Sequence, residues 1–185
     1  MTLALIIALP FLGIFLPLLA ERLGRSACAA AAGVAPLMAL VLLLSQQSAV
    51  FSGELLKVKL EWLPALGLNL SLRLDGLGFL FALLILGIGL LVILYARYYL
   101  SKKEPMGRFF AFLLLFMGAM LGVVLSENLL LMLMFWELTS LSSFLLIGFW
   151  GSRSDARKGA RMALAITGGG GLALLAGILL IGHIA

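Results

Sequence analysis

One acidic residue stands apart from the other seven in this 185-residue chain, because it lies inside a long apolar run. Glu137 occurs in the segment LLLMLMFWELTSLSSFLLIGFW, which is long enough to cross a membrane as a helix. At about 1.5 Å of rise per residue, its carboxyl group is predicted near the middle of the bilayer. A charged side chain there costs roughly 2.5–3.5 kcal/mol, so the carboxyl needs a partner cation, water or a bound proton. All three are ingredients of a proton relay.

Hydroxyl side chains follow Glu137 and make the second half of the same helix unusually polar. Ser140 is three residues further on and is therefore predicted beside Glu137 on one helix face. We predict that Glu137 is the proton-relay residue and that Thr139, Ser140 and Ser143 form a supporting polar face. The competing interpretation is a glutamate that bonds to a neighbouring helix for packing alone. Intramembrane acids are functional sites by default, which favours the relay.

The remaining motifs carry weaker signals. Gly168-Gly169-Gly170-Gly171 is not a phosphate-binding loop, because no strand precedes it and no Lys-Ser/Thr pair follows. It marks either close helix packing, which we favour, or a flexible break in the helix. The GxxxG pair Gly118 and Gly122 predicts close helix contact, and the lone His183 is interpreted as a solvated helix end. No motif indicates a cofactor or a metal site, and the single Cys28 excludes a disulfide within the chain.

Hydropathy predicts the elements that position Glu137. The chain is 64% hydrophobic and 11% charged, whereas an ordinary soluble domain is roughly 25% charged. A soluble domain of this size could not bury so much apolar surface. We therefore predict an all-α integral membrane protein with about six transmembrane helices, which form one transmembrane domain over residues 1–185. The predicted spans are 2–20, 27–44, 76–96, 109–125, 129–150 and 159–181.

The long connection 45–75 differs in kind from the others. Residues 57–62 and 68–75 both alternate polar with apolar side chains, on either side of Pro64 and Gly67. This period of two predicts a β-hairpin with one face packed on the membrane domain. Asp75 follows the second strand and is expected to cap the third transmembrane helix at its N-terminus.

The basic residues predict the orientation of the chain. Ten of the 13 lie in the first, third and fifth connections or in the helix turns beside them, and three lie in the hairpin. By the positive-inside rule the odd connections are cytoplasmic, so both termini and the hairpin are extracytoplasmic. The net charge of +5 therefore indicates membrane orientation rather than nucleic-acid binding. The ten are Arg22, Arg25, Arg97, Lys102, Lys103, Arg108, Arg153, Arg157, Lys158 and Arg161; the three are Lys57, Lys59 and Arg73.

The string FWELTSLSSFLLIGFW closely resembles the fifth-helix region of the large A subunit of Mrp-type multisubunit cation/proton antiporters. It also resembles the related antiporter-like subunits of respiratory complex I. Two more stretches agree: LRLDGLGFLFALLILGIG and KGARMALAITGGGGLALLAGILLIGHI. The resemblance implies that Glu137 is the essential acid of a proton channel, paired with a lysine on a seventh helix. That lysine has no counterpart among these residues, so we expect an N-terminal piece of a larger subunit: a fragment, a truncated reading frame or a split subunit.

Three functions follow from the residues and the resemblance together. We expect a proton-translocating subunit of a multisubunit Na⁺/H⁺ antiporter in a bacterial inner membrane, a transporter component and not an enzyme. Its expected partners are the lipid bilayer, the other subunits, H⁺ and Na⁺, with no nucleic acid and no cofactor. The first alternative is a membrane-arm proton-pumping subunit of a complex I-like NADH-quinone oxidoreductase. The second is a truncated scaffold piece without transport of its own.

Overall fold

A computed structural model describes residues 1–63, 67–101 and 104–184, with side chains as far as Gly182. Pro64, Lys102, Lys103 and the His183 side chain, on which some expectations above depend, lie outside the described residues. In the part described, six helices are long and apolar enough to cross a membrane, and two strands form one antiparallel sheet. These findings confirm the predicted fold class. In chain order the elements are α1 Thr2–Gly13, α2 Phe15–Ala20, α3 Arg25–Leu44, α4 Gln47–Phe51, β1 Leu56–Leu63, β2 Leu68–Leu74, α5 Gly76–Tyr99, α6 Met106–Leu125, α7 Leu129–Ile147 and α8 Ser154–Ile184.

The first span consists of two helices, because the helix is interrupted at Ile14. Pro17 explains the interruption: it has no N–H to donate, and its ring would collide with the carbonyl of Gly13 four residues earlier. A short 3-10 turn, Glu21–Leu23, completes a 22-residue span. The sequence predicted this span but not the interruption within it.

Helix α6 is the centre of the bundle and packs against α1, α2, α3, α5 and α7. Its two GxxxG glycines allow this close approach. A Cβ on Gly118 would lie 2.9 Å from the ring of Phe11, and one on Gly122 would overlap the ring of Phe135. The two rings stack on each other, with centroids 6.4 Å apart. The close contact predicted for the glycine pair is therefore confirmed.

The hairpin is docked on the turn between α6 and α7. In the sheet, Leu56 pairs with Leu74 and Leu60 with Leu70, and the register shifts before Leu63. Leu72 and Leu74 of β2 are buried, whereas most of β1 is exposed. The predicted hairpin packed on the membrane domain is confirmed, with β2 as the strand in contact.

Two side chains of the α6–α7 turn bind the hairpin. Lys57 forms an ion pair with Glu127, and the Asn128 side chain donates a hydrogen bond to the carbonyl of Gly67 at 2.8 Å. The backbone N–H of Glu127 also donates to the carbonyl of Ser71 at 2.9 Å. The hairpin and this turn therefore form one polar cap at one end of the bundle.

The opposite end carries every arginine except Arg73, which lies in β2. The Arg25 guanidinium donates to the carbonyls of Arg97 and Leu100, at 2.7 and 2.5 Å. A cation there stabilises the C-terminus of α5, where unpaired carbonyls carry a partial negative charge. The Arg97 side chain in turn donates to the hydroxyl of Ser26 at 2.8 Å.

Several predicted span boundaries need correction: α3 begins at Arg25 instead of residue 27, α5 continues to Tyr99 instead of residue 96, and α6 begins at Met106 instead of residue 109. The last two helices differ as well. Helix α7 ends at Ile147 instead of residue 150, because Gly148–Trp150 turn toward α6, where the indole N–H of Trp150 donates to Glu104. Helix α8 begins at Ser154, five residues before the prediction. It packs on α7 as its main neighbour and is the least buried of the six spans.

Candidate functional site

Glu137 lies near the centre of the 19-residue helix α7. The Asn128 side chain caps this helix at its N-terminus by accepting from the backbone N–H of Leu131 at 3.0 Å. About 12 Å of helix therefore separates Glu137 from the capped end, and about 15 Å separates it from the other. Glu137 therefore lies near the middle of this helix.

The Glu137 carboxyl group packs against the backbone of α8 at Gly171. A Cβ added to Gly171 would overlap Glu137 Oε1, so any other residue there would force the carboxyl to move. Gly171 is buried, whereas a Cβ on Gly168, Gly169 or Gly170 would meet nothing within 4 Å. Helix α8 continues through all four glycines without a break. Of the four glycines, Gly171 is therefore the one at a close-packed position, and its neighbour is the carboxyl group of Glu137.

The buried oxygen of this carboxyl group has no partner within the described residues. Glu137 Oε1 is inaccessible to solvent and accepts no hydrogen bond there. The two ion pairs of this part of the chain, Lys57–Glu127 and Arg73–Asp75, both lie at the hairpin end. An unsatisfied buried acceptor costs about 1–3 kcal/mol, and more when it is charged. A proton, a water molecule or a cation bound at Oε1 would remove that cost.

Three hydroxyl side chains of α7 bond to their own helix. Thr139 Oγ1 and Ser140 Oγ both donate to the carbonyl of Trp136, at 2.6 and 3.3 Å. Ser142, which is fully buried, donates to the carbonyl of Leu138 at 2.8 Å. Such bonds satisfy hydroxyls within an apolar helix and leave their oxygens able to accept from water.

The supporting residues differ in their position relative to Glu137. At about 100° per residue, Ser140 lies on the same side of α7 as Glu137, and it is buried. Thr139 lies on nearly the opposite side, and the half-buried Ser143 lies between these positions. The structure thus brings Ser140 beside the acid and places Thr139 away from it.

The contact between Glu137 and Gly171 was not predicted from the sequence. It follows from the way the antiparallel helices α7 and α8 are aligned. Close to the turn, a Cβ on Gly148 would lie 3.4 Å from the Cβ of Ala160. Following the two helices away from that contact by equal steps brings Glu137 opposite Gly171. Residues at equal distances from the α7–α8 turn lie opposite each other in such a helix pair, and this counting could have identified Gly171 as the neighbour of Glu137.

The structure offers no nearby basic partner on the described part of α8. Lys158 lies in the first turns of the helix, about 20 Å along the axis from Gly171. Among the described residues, no group of three or more histidine, cysteine or acidic side chains could hold a metal ion. Among the described residues, the ionisable group at this site is therefore the single carboxyl group of Glu137.

Two family models match the chain. Residues 62–110 match "NADH-Ubiquinone oxidoreductase (complex I), chain 5 N-terminus", and residues 126–185 match "NADH:quinone oxidoreductase/Mrp antiporter, TM". Together they include β2 and all of α7 and α8, and therefore Glu137 and Gly171.

Two curated relatives are similar over most of the chain. A probable K⁺/H⁺ antiporter A/B subunit from Rhizobium meliloti is 49% identical over 182 residues, which are 98% of this chain. The A1 subunit of a Na⁺/H⁺ antiporter from Staphylococcus aureus is 53% identical over 146 residues, or 79% of this chain. The chain covers only 18% of the length of each relative.

Two solved structures share the fold. The Mrp complex from Dietzia contains a chain that is 34% identical, with a TM-score of 0.79 over 95% of this chain and 19% of its own length. A membrane-bound sulfane sulfur reductase, an archaeal respiratory complex, contains another at 22% identity, with a TM-score of 0.81 over 100% of this chain and 28% of its own length. The second likeness concerns the fold alone.

Proposed function

Because this chain belongs to the family of proton-antiporter membrane subunits that includes the large A subunit of Mrp antiporters, we propose that it contributes to the proton path of a multisubunit cation/proton antiporter. Glu137 is the group that binds and releases the proton. The observation that carries this proposal is its buried Oε1, unpartnered among the described residues at mid-span and packed on Gly171.

The carboxyl group performs this task by alternating between two states. With a bound proton it is neutral and compatible with its apolar surroundings. When a cation approaches, the carboxylate is stabilised and the proton leaves, so the position of the cation controls proton occupancy. Ser140 lies on the side of Glu137 and supports a water chain, while Thr139 and Ser143 extend the polar surface of α7.

The exchanged cation is Na⁺ or K⁺ in this proposal, since the relatives include both kinds of antiporter. We place the protein in a bacterial inner membrane, assembled with other subunits, with the hairpin on the extracytoplasmic side. Transport draws on the membrane potential, which contributes about 2.3 kcal/mol per elementary charge at 100 mV.

A complex I-like oxidoreductase component is the second candidate, because both matching family models name NADH oxidoreductases. The same carboxyl would serve the same proton step there, coupled to quinone reduction. The neighbouring genes distinguish the two: small antiporter subunits accompany one, and flavin and iron–sulfur subunits accompany the other.

The decisive experiment is Glu137→Gln in the complete complex, assayed in everted vesicles by cation-driven collapse of a pH gradient. Glutamine retains the volume and much of the hydrogen bonding but cannot ionise, so exchange should be abolished while the complex still assembles. Glu137→Asp keeps the carboxyl on a shorter stem and should retain part of the activity. Both Na⁺ and K⁺ should be tested.

Glu54→Gln is the matched control, since Glu54 is an exposed carboxyl in the connection before β1. Glu127 is less suitable because it binds Lys57 and thereby holds the hairpin. Unchanged exchange in the Glu137→Gln complex would eliminate the relay and leave a scaffold role for this segment.

A further inference from the structure

Three arginines surround a cleft at the end of the bundle opposite the hairpin. The cleft has a volume of about 450 Å³ and lies between α6, α7 and α8. Arg108 contributes from the first turns of α6, while Arg157 and Arg161 contribute from the first turns of α8. These residues lie at one end of the bundle, whereas Glu137 lies near the centre of α7.

Backbone contacts orient each of the three guanidinium groups. Arg157 donates to the carbonyl of Gly151 at 2.7 Å, and Arg161 donates to the carbonyl of Arg157 at 3.3 Å. Arg108 donates to the carbonyl of Phe149 at 3.3 Å and lies over the ring of Phe149, 5.3 Å from its centroid. The arginines are therefore held in place while most of their N–H groups remain available, since each guanidinium has five.

The positive charge of this cluster is not neutralised by carboxylates in the described part of the chain. Three of the described acids lie at this end: Glu21, which lies against Gly107, Glu104 and Asp155. None forms an ion pair with the arginines, since both ion pairs of the described residues lie at the hairpin end. Glu104 accepts from the indole of Trp150 and from the backbone N–H of Ser101, and Asp155 accepts from the hydroxyl of Ser154 at 3.5 Å. Arg157 and Arg161 are also four residues apart on one helix, a spacing at which like charges destabilise the helix. An anion bound between them would reverse that repulsion.

The lining of the cleft changes from cationic to apolar along the axis of α6. Phe112 lies one helical turn beyond Arg108 on α6, and Phe144 and Leu145 form the wall on α7. A small anion such as phosphate would use only the arginine end. A phospholipid matches both parts, with its phosphate at the guanidinium groups and an acyl chain against the aromatic rings.

We propose that this cleft binds an anionic phospholipid, with Arg108, Arg157 and Arg161 holding the headgroup phosphate. Basic pockets between transmembrane helices recognise such headgroups by charge and by the forked geometry of arginine. An anionic headgroup is preferred over a zwitterionic one because three cations converge on it. This inference does not depend on proton transfer by Glu137.

The test is photo-crosslinking of the whole chain in phosphatidylcholine vesicles. The vesicles contain a small fraction of either phosphatidylglycerol or phosphatidylcholine with a diazirine in the acyl chain, and mass spectrometry locates the labelled peptides. Labelling of residues 144–161 should be several-fold stronger with the phosphatidylglycerol probe. Unlabelled phosphatidylglycerol should compete, whereas millimolar inorganic phosphate should not.

Two double variants separate a specific site from general attraction to the basic end. Arg157→Gln with Arg161→Gln should weaken phosphatidylglycerol binding roughly 30-fold, given the usual contribution of a basic residue near an anionic surface. Arg22→Gln with Arg153→Gln removes the same charge from the same end, outside the cleft lining, and should leave labelling unchanged. Unaltered labelling by the phosphatidylcholine probe elsewhere in the chain verifies folding in both variants.

Three results would overturn the proposal. Equal labelling by the two probes in the unaltered chain would show that headgroup charge is not recognised. Competition by inorganic phosphate would assign the arginines to a small anion. An equal loss in both double variants would reduce the effect to diffuse electrostatics.

Discussion

At the level of single residues, the Glu137 carboxyl group depends on a neighbour that has no side chain. Gly171 is buried and leaves room for Oε1, whereas the adjacent Gly170 meets nothing within 4 Å. We therefore expect an alanine substitution to have different effects at Gly170 and at Gly171.

Gly171→Ala should impair cation-driven proton exchange, because the new methyl group occupies the place of Glu137 Oε1. The carboxyl lies at the end of a flexible side chain and can rotate away, so we expect the midpoint of thermal unfolding to change little. Gly170→Ala is the control and should exchange normally. Comparable activity of the two variants would mean that the carboxyl does not act from this position.

The sequence predicted the acid and Ser140 beside it, but not the glycine against which the carboxyl packs. An ionisable group inside an apolar run is visible in one dimension, because its transfer cost does not depend on which helix lies beside it. The position of Gly171 depends on the register of two helices and on their rotation, and none of the four glycines differs from the others in the sequence. Thr139 was grouped with Ser140 by proximity along the chain, although the helical rotation separates them.

At the level of elements, close approach of rigid groups sets the packing of the helices. The ring of Phe135 on α7 rests on Gly122 of α6 so closely that a Cβ would overlap several ring atoms. A ring cannot bend away as a carboxyl group can. A Gly→Ala change at Gly122 should therefore affect stability, whereas the change at Gly171 should affect activity.

Gly122→Ala should lower the free energy of unfolding by roughly 1–3 kcal/mol, the usual effect of overpacking. Gly87→Ala on α5 is the control, because nothing lies within 4 Å of its Cβ. Adding Phe135→Leu to Gly122→Ala should restore part of the loss. Denaturant titration in detergent measures all three, and equal stability of the two single variants would contradict the packing argument.

The start of α5 depends on one carboxylate outside the membrane. Asp75 accepts from the backbone N–H of Gly78 at 2.8 Å and from the Arg73 guanidinium at 2.5 Å. The Gly78 hydrogen bond, followed by that of Arg73, lowers the pKa of Asp75 below its ordinary value. The hydrogen bond between Arg73 and Asp75, followed by the charge of the carboxylate, raises the pKa of Arg73.

A depressed carboxylate pKa stabilises the folded state above the ordinary value of about 3.9, and this contribution is lost as the pH falls further. Hydrogen-exchange protection of the Gly78 amide should therefore decrease in acid below about pH 4. Asp75→Asn keeps a capping oxygen without the charge, so its protection should be independent of pH in that range. An identical acid response in both proteins would exclude Asp75 as the cause.

The boundaries of a helix could be predicted from the sequence where the composition changes abruptly. They could not be predicted where packing against a distant residue determines the end of the helix. The start of α5 after Asp75 is marked by a capping residue, and sequence and structure agree on it. The end of α7 is not marked, because GFW is as apolar as the helix before it. That segment leaves the helix to place Trp150 against Glu104, a partner 46 residues earlier.

At the level of the whole molecule, most of the described basic residues lie at the end of the bundle opposite the hairpin. This asymmetry predicts an orientation with the arginine-rich end in the cytoplasm. Single cysteines at Ser48 and Ser154, both exposed, should label oppositely with a membrane-impermeant thiol reagent in a Cys28→Ala background. Labelling of Ser154→Cys from outside intact cells would reverse the assignment.

The docking of the hairpin also sets an order of events during synthesis. Lys57 and Glu127 are 70 residues apart, and Gly67 and Asn128 are 61 apart. At about 5–20 residues per second, the ribosome needs several seconds to make the turn that receives an already synthesised hairpin. During that delay the hairpin lacks the ion pair and the hydrogen bonds that this turn provides, and a two-stranded ribbon is only marginally stable in water. The speed of translation between α5 and α7 therefore determines how long the hairpin is exposed to wrong strand pairing and to proteases.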